Sequence, residues 1–149
     1  MTTSEQSAGR ATRTLGVAVA VRDALLDAAF QHRKTTGENK PYKTFTDGYI
    51  RNGLARTREA IAGGKVFPPA EALIAHYEYS QSNSSLATVV VEAGLASDLD
   101  ETLLPLRRTL DTVLSRRALA EFYLMAGLIA DGISIVNYQI PEVLTSTEA

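Results

Sequence analysis

Residues 12–21 read TRTLGVAVAV, in which Leu15, Val17, Val19 and Val21 are large and apolar while Thr12, Thr14, Gly16, Ala18 and Ala20 are small. A period of two with β-branched residues predicts a short strand that buries one face. From Arg22 the period lengthens. Leu25, Leu26, Ala29 and Phe30 then fall on one side of a helix, with Arg22, Asp23, Asp27, Arg33 and Lys34 outside them. Gly37 stands where a helix C-cap belongs. The competing reading of the same residues is one long helix from Thr12 to Lys34, because alanine favours helix.

Working outward, residues 37–43 (GENKPYK) form a polar linker, after which Thr46 is expected to cap a second helix with Asp47 in its first turn. Ile50, Leu54 and Ile61 share a face of that helix, and Arg51, Arg56 and Arg58 lie off it. Gly63-Gly64 closes it. Further on, Phe67-Pro68-Pro69 opens a helix buried through Leu73, Ile74 and Tyr77. Residues 81–85 (QSNSS) are a candidate boundary, and residues 86–95 (LATVVVEAGL) are read as helix, with a strand as the other option. Ser97 caps the next helix, and Pro105 kinks it or begins a new one. An apolar stripe continues through Leu106, Leu110, Val113, Leu114, Phe122, Met125 and Ile129. No internal repeat is visible. The expected fold is mainly α, with one short strand and two helices at the amino terminus followed by a helical carboxy-terminal part. Residues 1–9 form a polar tail, residues 10–66 the strand-helix-helix unit and residues 67–149 the helical remainder.

The chain of 149 residues is 45% hydrophobic with a formal net charge of −2, which excludes wholesale disorder. It holds no cysteine, so disulfides, thiolate metal sites and cysteine nucleophiles are excluded. Charge is unevenly distributed: residues 1–66 carry eleven Lys/Arg against six Asp/Glu, and residues 67–149 carry four against eleven. A basic part of +5 followed by an acidic part of −7 suggests an anion-binding lobe joined to one with another task. No stretch approaches the roughly 20 apolar residues of a membrane span. Leu15–Val21 is a short imitation of a signal peptide that runs directly into Arg22 and Asp23, so a cytoplasmic location and no membrane partner are expected.

Read as RTLGVAVAV, RDALLDAAFQHRKTTG and TFTDGYIRNGLAR, residues 10–62 resemble the ribbon-helix-helix superfamily of DNA-binding proteins. The resemblance implies a homodimer whose strands pair into a ribbon that enters the major groove, with a phosphate held at the start of the second helix. It implies Arg10, Thr12 and Thr14 on the ribbon's outward face, followed by Gly16, Ala18 and Ala20, and a phosphate clamp at the amides around Thr46 and Asp47. Lys40, Lys43, Arg51, Arg56 and Arg58 add attraction for phosphates. Leu15, Val17 and Val19 are expected to hold the dimer or core, and Phe122, Met125 and Ile129 to be buried inside the oligomer. The acidic helical part is the candidate surface for a protein partner. The expected function is a dimeric DNA-binding protein of transcriptional repression, plasmid partition or relaxosome assembly. The alternative is an all-helical assembly or adaptor protein without nucleic acid.

Catalysis, a cofactor or a bound metal is not expected. His32 lies among Arg33 and Lys34 on a solvated face, and His76 has Glu78 only two residues away, on another side of a helix. Residues 62–65 (AGGK) lack the earlier glycine and following Ser/Thr of a phosphate loop. Asp98, Asp100 and Glu101 lack the turn glycine of a calcium loop. Arg107, Arg108, Arg116 and Arg117 alternate with Asp111 and Glu121 as an exposed, salt-laced face. Tyr77, Tyr79, Phe122, Tyr123 and Tyr138 are read as core or interface anchors.

Overall fold

A computed structural model describes residues 11–82 and 85–145. In order they form β1 (Thr12–Ala18), α1 (Val19–Thr36), α2 (Tyr42–Ala62), α3 (Ala70–Ser82), β2 (Leu86–Glu92), α4 (Ala93–Leu110), α5 (Arg116–Ala130) and the short α6 (Glu142–Thr145). The fold is mainly helical, and among the described residues no helix is long and apolar enough to cross a membrane.

The expected first strand is present, but it ends at Ala18, and Val19 opens α1 half-buried. One long helix from Thr12 is therefore excluded. Gly37 ends α1 as expected, with φ 77° and its amide donating to the Arg33 carbonyl at 2.8 Å. Thr46 is not a cap: α2 begins four residues earlier, after Pro41, and Thr46 is buried with its hydroxyl donating back to the Tyr42 carbonyl at 3.1 Å. A mid-helix threonine uses that back-bond when its side chain has no free amide to accept from. Ser97 lies inside α4, as does Pro105.

The largest departure is β2. Residues 86–92 are a strand that pairs antiparallel with β1, from Thr12 opposite Glu92 to Ala18 opposite Leu86. Leu15, Val17, Val89 and Val91 point inward onto the helices and are all buried. A single strand leaves its backbone groups unpaired, and the partner that sequence reasoning assigned to a second copy is here supplied by the same chain. Phe122 and Met125 are likewise covered by their own chain rather than by an oligomer, and Ile129 is only half-buried, Leu128 being the buried neighbour.

The chain also contains a repeat. The order β1, α1, α2 recurs as β2, α4, α5, and each pair of equivalent positions lies 74 residues apart: Thr12 and Leu86, Val19 and Ala93, Gly37 and Asp111, Pro41 and Ser115. Even the left-handed C-cap recurs, with Asp111 at φ 49° donating its amide to the Arg107 carbonyl. Helix α3 bridges the two copies and packs on α5.

Helices α2 and α5 cross through a reciprocal contact. A Cβ on Gly53 would overlap the ring and Cβ of Tyr123, and one on Gly127 would overlap the ring of Tyr49. The two tyrosine hydroxyls complete the exchange: Tyr49 donates to Asp131 Oδ2 at 2.5 Å, and Tyr123 bonds the Thr57 hydroxyl. Burial pushes the Tyr123 phenol up to about 12, the Thr57 bond opposing it. Gly53 sits where a side chain would force the helices apart. Gly53→Ala and Gly127→Ala should therefore each cost about 1–3 kcal/mol, the usual range for overpacking, read as a lowered midpoint in urea denaturation of the intact chain.

Candidate nucleic-acid interface

Alternation along the two paired strands divides the ribbon into a sealed face and an open one. On the open face Thr12, Thr14 and Gly16 of β1 and Leu86, Thr88 and Glu92 of β2 are exposed, with Val90 half-buried among them. Thr14 stands opposite Val90, Gly16 opposite Thr88 and Thr12 opposite Glu92. The expected outward positions Thr12, Thr14 and Gly16 are there. Ala18 is not outward but 1% exposed where the strand turns into α1, and Ala20 belongs to α1.

Both ends of the ribbon are held in the same way. The Val19 amide crosses to the Ser85 carbonyl at 2.9 Å, so the preceding Ala18 amide points off the opposite edge, where the described residues place no third strand. Glu121 Oε2, from α5, accepts that amide at 2.7 Å. At the other end the Ala93 amide crosses to Ala11, and Asp47 Oδ1, from α2, accepts the Glu92 amide at 3.0 Å. Ala18 and Glu92 are equivalent in the repeat, as are Asp47 and Glu121. Each acid also holds a cation one helical turn earlier: Lys43 Nζ lies 2.6 Å from Asp47 Oδ2, and Arg117 Nε lies 2.9 Å from Glu121 Oε2. The basic first turns of α2 and α5 are thereby fixed at opposite ends of one ribbon.

The two clamps differ in depth. Glu121 is fully buried and takes two donors on each oxygen: Ala18 and Arg117 on Oε2, Tyr138 at 2.5 Å and His76 Nε2 at 2.9 Å on Oε1. Burial raises the carboxyl's pKa, but the bonds from His76, Arg117 and Tyr138 together with the Arg117 charge outweigh it and hold the pKa below the ordinary value. The same contact, after burial itself, pushes the Tyr138 phenol up. Glu121 is thus no exposed face residue, and His76, itself buried, is paired with Glu121 from α5. Arg107 is also engaged, donating from Nε and Nη2 to the Leu114 carbonyl at 2.9 and 2.6 Å and closing the turn between α4 and α5.

The remaining expected residues separate. Arg51 reaches the ribbon end, its Nη2 3.0 Å from Glu92 Oε2. Lys40 lies just before α2, 3.5 Å from Glu38. Arg56 stacks over the Phe67 ring at 3.9 Å, and Arg58 lies 3.5 Å from Asp98. These last two are on the far half of α2, about 20 Å along its axis from Lys43. Thr46 is interior, and Arg10 lies outside the described residues. Sequence reasoning missed the whole β2 half of the face, Leu86, Thr88, Val90 and Glu92, and it missed Arg116 and Arg117 at the start of α5. Arg116 is paired with Asp100 at 2.7 Å, and Ser115 caps the helix by accepting the Ala118 amide at 3.0 Å. The signal for α5 was the Arg117–Glu121 spacing, which repeats that of Lys43–Asp47.

Compared with protein-family models, curated proteins and solved structures, the chain matches none of them.

A carboxylate held below its unfolded pKa stabilises the fold above the unfolded value, and that stabilisation is lost as pH falls through the folded one. Glu121→Gln offers four donors an amide with a single acceptor oxygen and removes the charge that Glu121 sets against Arg117. It should cost about 3–5 kcal/mol at neutral pH, and the loss of stability on acidification should become shallower than in the unaltered protein. Urea unfolding across a pH series checks both.

Proposed function

We propose that the chain is a tandem ribbon-helix-helix protein that binds duplex DNA by laying the open face of the β1–β2 ribbon in the major groove. The observation that carries this reading is the ribbon itself: one face sealed on the helices, the other exposed, and a basic first turn of a helix at each end. A major groove about 12 Å wide admits a two-stranded ribbon, and the flanking backbones would lie near Lys40, Lys43 and Arg51 at one end and Arg116 and Arg117 at the other. The free amides of a helix start favour phosphate. On α2 these are the amides after Pro41, in place of those around Thr46. Exposed ion pairs such as Arg51–Glu92 and Arg116–Asp100 contribute little individually, so their exchange for phosphate contacts carries a small cost. The overall charge of −2 gives no general attraction, so binding rests on this local arrangement. Transcriptional repression, plasmid partition and relaxosome assembly are all roles such a module serves.

Fluorescence anisotropy of labelled mixed genomic fragments with the intact protein tests the reading. Binding is expected at micromolar protein in low salt, weakening about 500-fold between 50 and 200 mM salt if about five phosphates are neutralised. A Thr14→Glu, Thr88→Glu double variant should lower affinity at least tenfold while leaving thermal unfolding unchanged, since both side chains are exposed. Absence of binding to any duplex at low salt, or full affinity in the double variant, would overturn it.

A further inference from the structure

We propose that the open face of the ribbon reads a stretch of duplex without dyad symmetry, chiefly through thymine methyl groups. This rests on the DNA-binding reading above and specifies its ligand.

Leu15 and Val89 are both cross-strand partners and equivalent positions of the repeat, so the axis relating the two halves passes through that pair. Two identical strands would present the same outward residues on either side of it. Here only Thr14 and Thr88 match; the equivalent of Gly16 is Val90, and that of Thr12 is Leu86. The face is therefore graded along its length. One end carries Leu86, 53% exposed beside Ala18, and the other carries Glu92 beside Thr12, with Arg51 on the carboxylate. A palindrome would present each half of the groove with the same chemistry, and the ribbon does not.

The outward side chains also decide what can be read. Guanine and adenine edges are specified by bidentate contacts from Arg, Lys, Asn or Gln. Among the residues that alternate onto the open face of β1 and β2 there is none of these; Arg13, though exposed, alternates onto the other face with Leu15. Thr14, Thr88, Val90 and Leu86 instead offer methyl groups, whose complement on a base edge is the thymine C5-methyl, and Glu92 is an acceptor suited to cytosine N4. At Gly16, where an added Cβ would meet nothing within 4 Å, the backbone can approach the bases closely. Seven residues at about 3.3 Å each cover roughly 23 Å, or about seven base pairs.

Selection of the intact protein on a random duplex pool, followed by affinity measurement with deoxyuridine replacing thymidine, tests the proposal. The expected result is an enriched core of about seven base pairs that contains thymines and lacks dyad symmetry, with affinity falling about fourfold for each contacted methyl removed. Gly16→Val, which gives the two strands the same central residues, should shift the enriched core toward dyad symmetry. A palindromic core from the unaltered protein, or full affinity for the uracil-containing duplex, overturns this inference and leaves DNA binding intact. Failure to retain any duplex overturns the DNA-binding reading beneath it.

Discussion

Everything in this fold hangs on two backbone amides. Among the described residues the ribbon has two strands and no third beside them, and where each strand turns into a helix its last amide, Ala18 or Glu92, points away from the partner strand. An unpaired buried amide costs as much as a lost hydrogen bond, of order 1–3 kcal/mol. Glu121 and Asp47 answer those amides reciprocally, each from the second helix of the opposite copy of the repeat. Strand pairing, helix packing and the positions of two basic helix starts are thereby set by one kind of contact used twice.

The clamps are equivalent in position but not in environment. Helix α3 and the segment after α5 bring His76 and Tyr138 over Glu121, so that carboxylate is sealed and saturated, whereas the buried Asp47 has Lys43 and one amide. A buried carboxylate is tolerated only when its acceptor sites are filled, and the four donors around Glu121 fill them. Because both strands belong to one chain, ribbon formation does not depend on protein concentration as it does in an obligate dimer. The two copies are also free to differ on the open face while keeping the inner one, where Leu15 is matched by Val89, Val21 by Leu95 and Ile50 by Leu124.

That last freedom explains what the sequence reveals and what it conceals. The first strand, α1 and its glycine stop were legible because β1 alternates cleanly and Gly37 takes a conformation that favours glycine. The second strand was not: Val90 on the outward face turns the alternation into the continuous run Val89-Val90-Val91, which reads equally as buried helix. The repeat was hidden because the two copies share burial far more than identity, with Leu25 and Leu99, Tyr49 and Tyr123, and Gly53 and Gly127 among the few equal pairs. Thr46 imitated a cap because threonine is a good one, whereas Pro41 does not announce itself as one. Glu121 imitated a surface charge because its Arg117 partner lies one turn away, as in an exposed pair, while its amide partner lies 103 residues off. On the candidate face, Thr12, Thr14, Lys43 and Arg51 could be named from β1 and α2 alone, and the opposite half could not be named without β2.

The claim on which the rest depends is that β1 and β2 of one and the same chain form the ribbon. Isotope-filtered nuclear Overhauser spectroscopy on a mixture of labelled and unlabelled protein tests it directly, using cross-strand contacts between Thr14 and Val90 and between Gly16 and Thr88. Those contacts should be strong in the uniformly labelled protein and missing from the filtered spectrum, which selects contacts between chains. Their appearance in the filtered spectrum would mean that the strands pair between two copies, and the intramolecular ribbon would be wrong.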